Sequence, residues 1–204
     1  SGAGVAFGLV RALQASGVKG LDEGQEKWLL DLVALSTVAD LVPLVGDNRI
    51  LLKWGLEVLK KTKRPGIKAL MEVSDFKPRE VDEVKIGFRI GPRLNAAGRV
   101  EHGKLALETL SAETPAEARK AAIKLNDLNQ MRRTEQDKIV AEAKNLLETE
   151  FSKDSVLVLS GTGWSEGVVG IVAANIMELT KKPVFVMENL LNGESKGSAR
   201  SFGD

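Results

Sequence analysis

The sequence contains no cysteine and a single histidine among its 204 residues. It therefore forms no disulfide bond and no thiolate metal site, and a zinc centre of several histidines is excluded within this chain. Any metal bound here would need carboxylate and other oxygen ligands, which suits Mg²⁺ or Mn²⁺. The lack of cysteine is typical of a reducing compartment and predicts a cytoplasmic protein.

Long apolar runs and an excess of one charge are also missing. No window approaches the roughly 18 consecutive apolar residues that a membrane span needs, so no membrane partner is expected. Lys and Arg total 29 against 28 Asp and Glu, a net charge of +1. This balance excludes a histone-like basic protein, but a local basic groove is compatible with it. The 43% of hydrophobic residues is enough for a folded core.

The apolar pattern predicts helices in the first half of the chain. The second and third of them carry apolar stripes that include Trp28 and Trp54. Residues 84–100 fit neither the helical nor the strand period, and three glycines and one proline predict a structured loop there. Thr114 to Glu117 form a capping box, and the helix that it begins runs unbroken to about residue 150.

This long helix becomes polar near residues 130–137, a pattern typical of a helix that bridges two domains. After it come strand, helix and strand patterns, which imply a right-handed crossover and parallel pairing. The predicted fold class is therefore α/β, with a mainly helical part at 1–111, a connecting helix at 112–150 and a β-α-β part at 151–204.

Asp40 stands between an apolar helix and Leu41-Val42-Pro43. A carboxylate in apolar surroundings costs free energy unless it is paired, caps a helix or holds a metal. Position alone therefore leaves a cap or turn residue and a metal ligand as the alternatives.

Two basic segments are candidates for binding phosphate. Residues 89–99 place arginines and Asn95 among small residues, and a planar guanidinium suits phosphate oxygens. Salt-bridged arginines on a surface loop are the alternative. Near the C-terminus, Gly197 exposes an N–H group, and Ser198 and Arg200 point the same way if the segment is a strand. An edge strand with alternating polar residues is the alternative there.

Three further residues have weaker signals. Trp164 and Ser165 follow a glycine-rich turn that resembles a phosphate-binding turn in shape but lacks the P-loop ending. Trp164 either stacks on a base or packs in the core. Arg132 lies in the polar middle of the long helix, where it either faces a groove or is solvated.

Taken together, these segments resemble the RecJ family of single-strand-specific DNA exonucleases, in the DHH phosphoesterase superfamily. The matching strings occur in the family's order and span nearly the whole chain. They are LDLVALSTVADLVPL (30–44), RPGIKALMEV (64–73), GFRIGPRLNAAGR (87–99), LNDLNQMRRTEQ (125–136), GWSEGVVGIVAANI (163–176) and KGSARS (196–201).

The resemblance implies a domain for each part of the chain. Residues 1–111 would be the C-terminal part of the catalytic DHH domain, 112–150 the connecting helix, and 151–204 the start of a DHHA1 domain. It also implies that single-stranded DNA is threaded through a cleft between these domains.

The same resemblance implies roles for individual residues. Asp40 matches a metal-ligating aspartate. Three residues, Arg93, Asn95 and Arg99, match a motif associated with the nucleic-acid backbone and the scissile phosphate. The Gly197, Ser198 and Arg200 positions match a motif that grips the 5′ phosphate. Ser165 stands where the family usually has histidine.

The implied activity is 5′-to-3′ exonuclease hydrolysis of single-stranded DNA with two Mn²⁺ or Mg²⁺ ions, in DNA repair and recombination. Implied partners are single-stranded DNA with a 5′ phosphate, a single-strand-binding protein and a helicase. The Asp-His-His motif and the earlier aspartates of the family are absent from this sequence. We therefore expect an internal piece of a longer enzyme that is inactive alone. The alternatives are another DHH enzyme, such as an oligoribonuclease or small phosphoesterase, and a non-catalytic single-strand-binding module.

Overall fold

The structure is a computed structural model that describes residues 1–20, 22–100, 103–149 and 154–202. The chain folds into two compact units. The first comprises Ser1–Asn95 and Gly103–Asn126, and the second comprises Ala96–His102 and Asp127–Asp204. This division follows compactness alone, so the assignment of 1–111, 112–150 and 151–204 to family domains stays a prediction.

The elements up to residue 149 are helical, and two of the helices, α6 and α8, contribute residues to both units. In chain order, the helical elements up to residue 149 are α1 (Gly2–Ala15), a 3₁₀ turn (Gln25–Leu29), α2 (Leu30–Ala39), α3 (Gly46–Lys60), α4 (Pro65–Val73), a 3₁₀ turn (Pro78–Glu80), α5 (Glu83–Lys85), a π turn (Ile86–Ile90), α6 (Gly91–Val100), α7 (Lys104–Ser111) and α8 (Pro115–Thr149).

Helix α2 is the central helix of the first unit. Its apolar side chains are buried almost all round, as expected of a helix surrounded by others. Helix α3 packs on it closely, since a Cβ at Gly55 would lie 2.5 Å from the carbonyl oxygen of Leu30. Trp54, one residue from Gly55, therefore points away and is 55% exposed, and Trp28 is 51% exposed. The predicted place of both tryptophans on buried stripes is wrong.

The prediction of a loop at residues 84–100 is also wrong, because this stretch is helical throughout. The N–H of Gly91 donates to the carbonyl of Ile86, which widens one turn into a π turn. A wider turn accommodates Pro92, which has no N–H to donate and would strain a regular helix. The turn packs on the end of α2, where Gly91 lies against Ala39.

The predicted capping box is confirmed at the start of α8. The hydroxyl of Thr114 accepts a hydrogen bond from the N–H of Glu117 (3.3 Å), and the carboxylate of Glu117 accepts one from the N–H of Thr114 (3.2 Å). These two bonds satisfy donors that a helix end would otherwise leave unpaired.

The second unit contains a three-stranded sheet in the order β1-β2-β3. Strand β1 pairs parallel with β2, and β3 pairs antiparallel with β2, so the predicted parallel pairing and the α/β fold class are confirmed. One sheet face packs with α9 and α8 into an apolar core. The strands and helix are β1 (Leu157–Thr162), α9 (Glu166–Thr180), β2 (Val184–Asn189) and β3 (Ser195–Arg200).

Side chains alternate along the first two strands. Leu159 and Val186 are fully buried, whereas Val158 and Phe185, register partners on the opposite face, are about half exposed. None of the helices in the described part of the chain is both apolar and long enough to cross a bilayer.

Candidate functional site

Asp40 caps the C-terminal end of α2 and is exposed to solvent. Its N–H donates to the carbonyl of Ser36 (2.9 Å), and its carboxylate accepts a hydrogen bond from the Ser36 hydroxyl (3.0 Å). The carboxylate is therefore in contact with solvent, and it does not lie in the apolar surroundings that its neighbours in the sequence suggest. Leu41 follows in the left-handed region at φ 53° and is itself exposed, so the chain turns sharply here.

The surroundings of Asp40 do not amount to a complete metal site. Within the ranges that the structure describes, no three His, Cys, Asp or Glu side chains come together to hold a metal ion. Mg²⁺ and Mn²⁺ prefer about six oxygen ligands, of which Asp40 supplies one carboxylate. The described residues thus do not fit a two-metal centre by themselves, and the role of Asp40 as a ligand stays a prediction.

Arg93 lies on α6 and donates hydrogen bonds to protein groups of the first unit. Its Nε donates to the side-chain oxygen of Asn126 (3.0 Å), and its Nη atoms donate to the carbonyls of Arg89 (2.7 Å) and Val73 (3.2 Å). Arg89 donates in turn to the carbonyl of Ser74 (2.9 Å). Both guanidiniums thus stabilise the carbonyl-rich end of α4, where positive charge is favourable.

Asn95 is exposed two residues further along α6. Its predicted role, like that of Arg93, is in binding the nucleic-acid backbone. The hydrogen bonds of Arg93 to protein groups account for an arginine at this position even when no nucleic acid is bound. For Asn95, no hydrogen bond is described.

A buried carboxylate that the sequence analysis did not single out lies on α2. Asp31 is 2% exposed and accepts hydrogen bonds from the Nε of Arg64 (2.9 Å) and the N–H of Leu32 (2.7 Å). The pair joins the start of α2 to the turn before α4. A charged residue within an apolar helical run was the available signal, because such a residue needs a partner.

The second unit brings Ser198 and Arg200 together. Both side chains lie on the same face of β3 and next to α9, where a Cβ built on Gly170 would lie 3.1 Å from the Ser198 Oγ and 3.5 Å from an Arg200 Nη. The prediction that they point the same way is confirmed. Arg200 also donates through its other Nη to the carbonyl of Ala199 (2.7 Å).

Gly197 has a role in the strand itself. A Cβ at this position would collide with the backbone of β2, at the carbonyl of Val186 and the Cα of Met187. Only glycine therefore lets β3 approach β2 at this point. On the face that carries Ser198, the neighbouring Lys196 forms an ion pair of 2.7 Å with Glu166 in the first turn of α9.

The end of α6 lies against the same first turn of α9. Arg99 is exposed, and one of its Nη atoms donates to the carbonyl of Gly167 (3.0 Å). A Cβ on Gly167 would collide with the carbonyl oxygen of Arg99, so the contact depends on glycine. The remaining guanidinium donors of Arg99 are thereby held near the start of α9.

Arg132 is half-buried on α8, so it is not the fully solvated side chain of the alternative interpretation. It donates to Gln136 (3.0 Å) and Asn129 (3.3 Å), and its buried Nε has no hydrogen-bond partner among the residues that the structure describes. Burial, together with the charges of Arg99 and Arg133, lowers the pKa of Arg132 from its ordinary value. A guanidinium still stays charged at neutral pH, so this side chain adds positive charge beside Arg99.

Trp164 and Ser165 lie at the start of α9. Trp164 is 2% exposed, and its indole Nε1 donates to Glu142 (2.7 Å), which favours packing over stacking on a base. Ser165 is the N-cap residue, but its hydroxyl makes no capping hydrogen bond.

Cations therefore surround the N-terminal half of α9. Arg99 contacts its first turn, Lys196 pairs with a residue of that turn, and Arg200 lies one turn further along. A helix N-terminus carries partial positive charge, to which Arg99 and Arg200 add, whereas the carboxylate of Glu166 offsets the charge of Lys196. Together with the Ser198 hydroxyl, this arrangement is chemically suited to an anion such as a phosphate.

Relatives with curated names match nearly the whole chain. The single-stranded-DNA-specific exonuclease RecJ of Dickeya dadantii is 42% identical over 98% of this chain and 37% of its own length. The protein of the same name from Bacillus subtilis is 39% identical over 98% of this chain and 25% of its own length. The chain thus spans a quarter to about a third of these relatives. No protein-family profile matches it.

Solved structures of proteins with the same name are similar to this chain as well. RecJ from Thermus thermophilus in complex with Mg²⁺ has a TM-score of 0.77 and 34% identity, covering 90% of this chain and 28% of that one. An exonuclease RecJ bound to manganese has a TM-score of 0.83 and 34% identity, covering 100% of this chain and 49% of that one.

Proposed function

We propose that this chain, which belongs to the RecJ family as a segment of such a protein, holds the 5′ phosphate of single-stranded DNA in its second unit. The observation that carries the proposal is the joint position of Ser198 and Arg200 against α9, with Gly170 between them. We define this arrangement of Ser198, Arg200 and the facing turn of α9 as the β3–α9 site.

The chemistry of the β3–α9 site suits a terminal phosphate better than an internal one. A guanidinium forms charge-assisted hydrogen bonds with phosphate oxygens, and a terminal phosphate offers three of them and a charge between −1.5 and −2 at pH 7. Arg99 supplies a further cation at the first turn of α9, and Arg132 adds charge beside it. By the family resemblance, Arg93, Asn95 and Arg99 would contact the internal phosphates of single-stranded DNA.

For the whole protein, we propose 5′-to-3′ hydrolysis of single-stranded DNA that depends on Mn²⁺ or Mg²⁺, in DNA repair and recombination. The metal would activate the attacking water and stabilise the leaving oxygen. Asp40 would supply one carboxylate, and the described residues supply no complete site. We therefore expect this chain alone, with Mn²⁺ and free of contaminating nuclease, to leave single-stranded DNA intact. Hydrolysis by the purified chain would contradict this expectation.

A second candidate function is a binding module without chemistry. The observation that favours it is that the β3–α9 site brings together several donors for a phosphate, whereas Asp40 supplies only one carboxylate toward a metal centre. Both candidate functions include binding of the phosphate, and they differ only in whether DNA is hydrolysed. A hydrolysis assay on a protein of the relatives' length distinguishes them.

The test is binding of single-stranded oligonucleotides with a 3′ fluorophore, with or without a 5′ phosphate, at two salt concentrations. We expect tighter binding of the phosphorylated strand, and loss of that preference by about tenfold or more in Arg200→Ala. Arg11→Ala, which removes the same charge from an exposed position on α1, is the matched control. Equal, salt-sensitive binding of both strands would indicate only general electrostatic attraction and overturn the proposal, as would no binding at all.

We also propose two protein partners and a cellular location for the whole protein. A single-strand-binding protein and a helicase would supply and protect the single strand in the cytoplasm. Co-purification of both with the tagged full-length protein, lost after nuclease treatment if DNA alone connects them, is the measurement that separates direct partners from indirect ones.

A further inference from the structure

Gly170 lies in the second turn of α9 and faces β3. Outside α9, the three atoms nearest to an added Cβ are all side-chain atoms of the β3–α9 site: the Oγ and Cβ of Ser198 and an Nη of Arg200. None of these three nearest atoms belongs to a backbone.

The other glycines near the site differ in this respect. A Cβ at Gly167 would strike the backbone of Arg99, and one at Gly197 would strike the backbone of β2, so the packing of the unit explains both glycines. Gly170 has ordinary helical geometry, and alanine is favoured over glycine inside a helix by roughly 0.5–1 kcal/mol. Helix propensity by itself would therefore favour alanine at position 170.

We propose that Gly170 is a positioning residue that keeps Ser198 and Arg200 side by side for a terminal phosphate. This inference rests on the proposed function and adds a determinant of its specificity. Without a methyl group on the helix, the hydroxyl and the guanidinium lie directly against α9, so both donors converge on one point.

Alanine at position 170 would disturb these donors slightly. Its methyl carbon would lie 3.1 Å from the Ser198 Oγ, closer than such atoms normally pack, so the hydroxyl must move by a few tenths of an ångström. Hydrogen bonds weaken steeply with distance and angle, and binding groups need placement within about 0.5 Å. The preference for a 5′ phosphate should fall, whereas general attraction to the strand should not.

The experiment compares the wild-type chain with Gly170→Ala, using the same phosphorylated and hydroxyl-ended oligonucleotides. We expect the affinity ratio to fall by about three- to tenfold, with unchanged affinity for the hydroxyl-ended strand and an unchanged or higher melting temperature. Gly8→Ala is the control, because Gly8 lies in α1 and a Cβ there meets nothing within 4 Å. This variant should retain the full ratio.

A double variant separates positioning from a general structural effect. In a Ser198→Ala background the closest atom is gone, so Gly170→Ala should reduce the ratio less than it does in the wild type. A wild-type ratio in Gly170→Ala would overturn this inference and leave the proposed function standing. A wild-type protein with no preference for the phosphorylated strand would overturn both.

Discussion

The acidic candidate of the first unit and the basic candidates of the second unit differ in how complete their surroundings are. Asp40 is exposed, bonds only to Ser36 among the hydrogen bonds described, and belongs to no metal-binding group in the described part of the chain. Ser198 and Arg200 lie together against a helix whose first turn contacts two further cations.

This difference follows from the chemistry of each site. A phosphate needs hydrogen-bond donors and positive charge, which one strand and the start of one helix can supply. A hydrolytic metal centre needs several charged ligands that converge from separate segments. Phosphate binding is therefore expected of this chain by itself, whereas hydrolysis is expected only of a protein of the relatives' length.

The largest expected effect contrasts two aspartates of the same helix. Asp31 is buried and paired with Arg64, so Asp31→Ala should lower the free energy of unfolding by about 3 kcal/mol, because it leaves a guanidinium without its partner. Asp40 is exposed, so Asp40→Ala should change stability by less than about 0.5 kcal/mol. Urea unfolding followed by circular dichroism measures both.

Phosphate preference serves as the control for this pair, since both aspartates lie in the first unit. Neither variant should change the preference of the folded chain for the phosphorylated strand. Similar losses of stability in the two variants would show that Asp40 has a structural role and would weaken its candidacy as a metal ligand.

A smaller effect is expected in the second unit, at Trp164. Trp164→Phe removes the hydrogen bond from Nε1 to the Glu142 carboxylate but keeps most of the buried ring, so stability should fall by about 1.5–2 kcal/mol. Affinity for single-stranded DNA should stay at the wild-type value when measured well below the melting temperature. A clear loss of affinity with unchanged stability would instead support base stacking.

Local signals predicted much of this fold. The capping box at Thr114 needs only four neighbouring residues, and the buried strands of the second unit are short apolar runs between turn residues. The π turn at Ile86–Ile90 was missed, because its i to i−5 hydrogen bond is set by packing against α2. Trp54 was misplaced for a similar reason: the close approach of α3 at Gly55 decides which side is buried.

The candidate site likewise has features that the local sequence predicts and features that depend on residues far apart in the sequence. Strand alternation alone predicted that Ser198 and Arg200 share a face, since every second side chain points the same way. Gly170 was missed because its neighbours lie 28 and 30 residues away and become close only when β3 joins the sheet. The partner of Asp31 is likewise 33 residues distant.

Two arginines of α6 give a third, smaller contrast. Arg93 donates to three groups of the first unit, and lysine cannot reproduce this forked geometry, so Arg93→Lys should cost about 1 kcal/mol of stability. Arg99 makes one described bond, and Arg99→Lys should change stability by less than about 0.5 kcal/mol while weakening strand binding about two- to fivefold.

Thermal unfolding and anisotropy titrations with one oligonucleotide decide between the two roles. Weaker binding and unchanged stability in Arg93→Lys would favour the family-based role of Arg93 as a backbone contact over its role at the end of α4. The same pattern is expected for Arg99→Lys.

The smallest expected effect concerns Ser165, which stands where the family usually has histidine. Its hydroxyl makes no capping bond, so Ser165→His should change the free energy of unfolding by less than about 0.5 kcal/mol. With the ordinary imidazole pKa near 6.5, this side chain would be mostly neutral at pH 8 and mostly protonated at pH 5.5. Affinity for single-stranded DNA, relative to the wild type at the same pH, should therefore rise about two- to threefold from pH 8 to pH 5.5. Comparison at equal pH cancels the change in the phosphate's own charge, and a pH-independent ratio would place this side chain away from the bound strand.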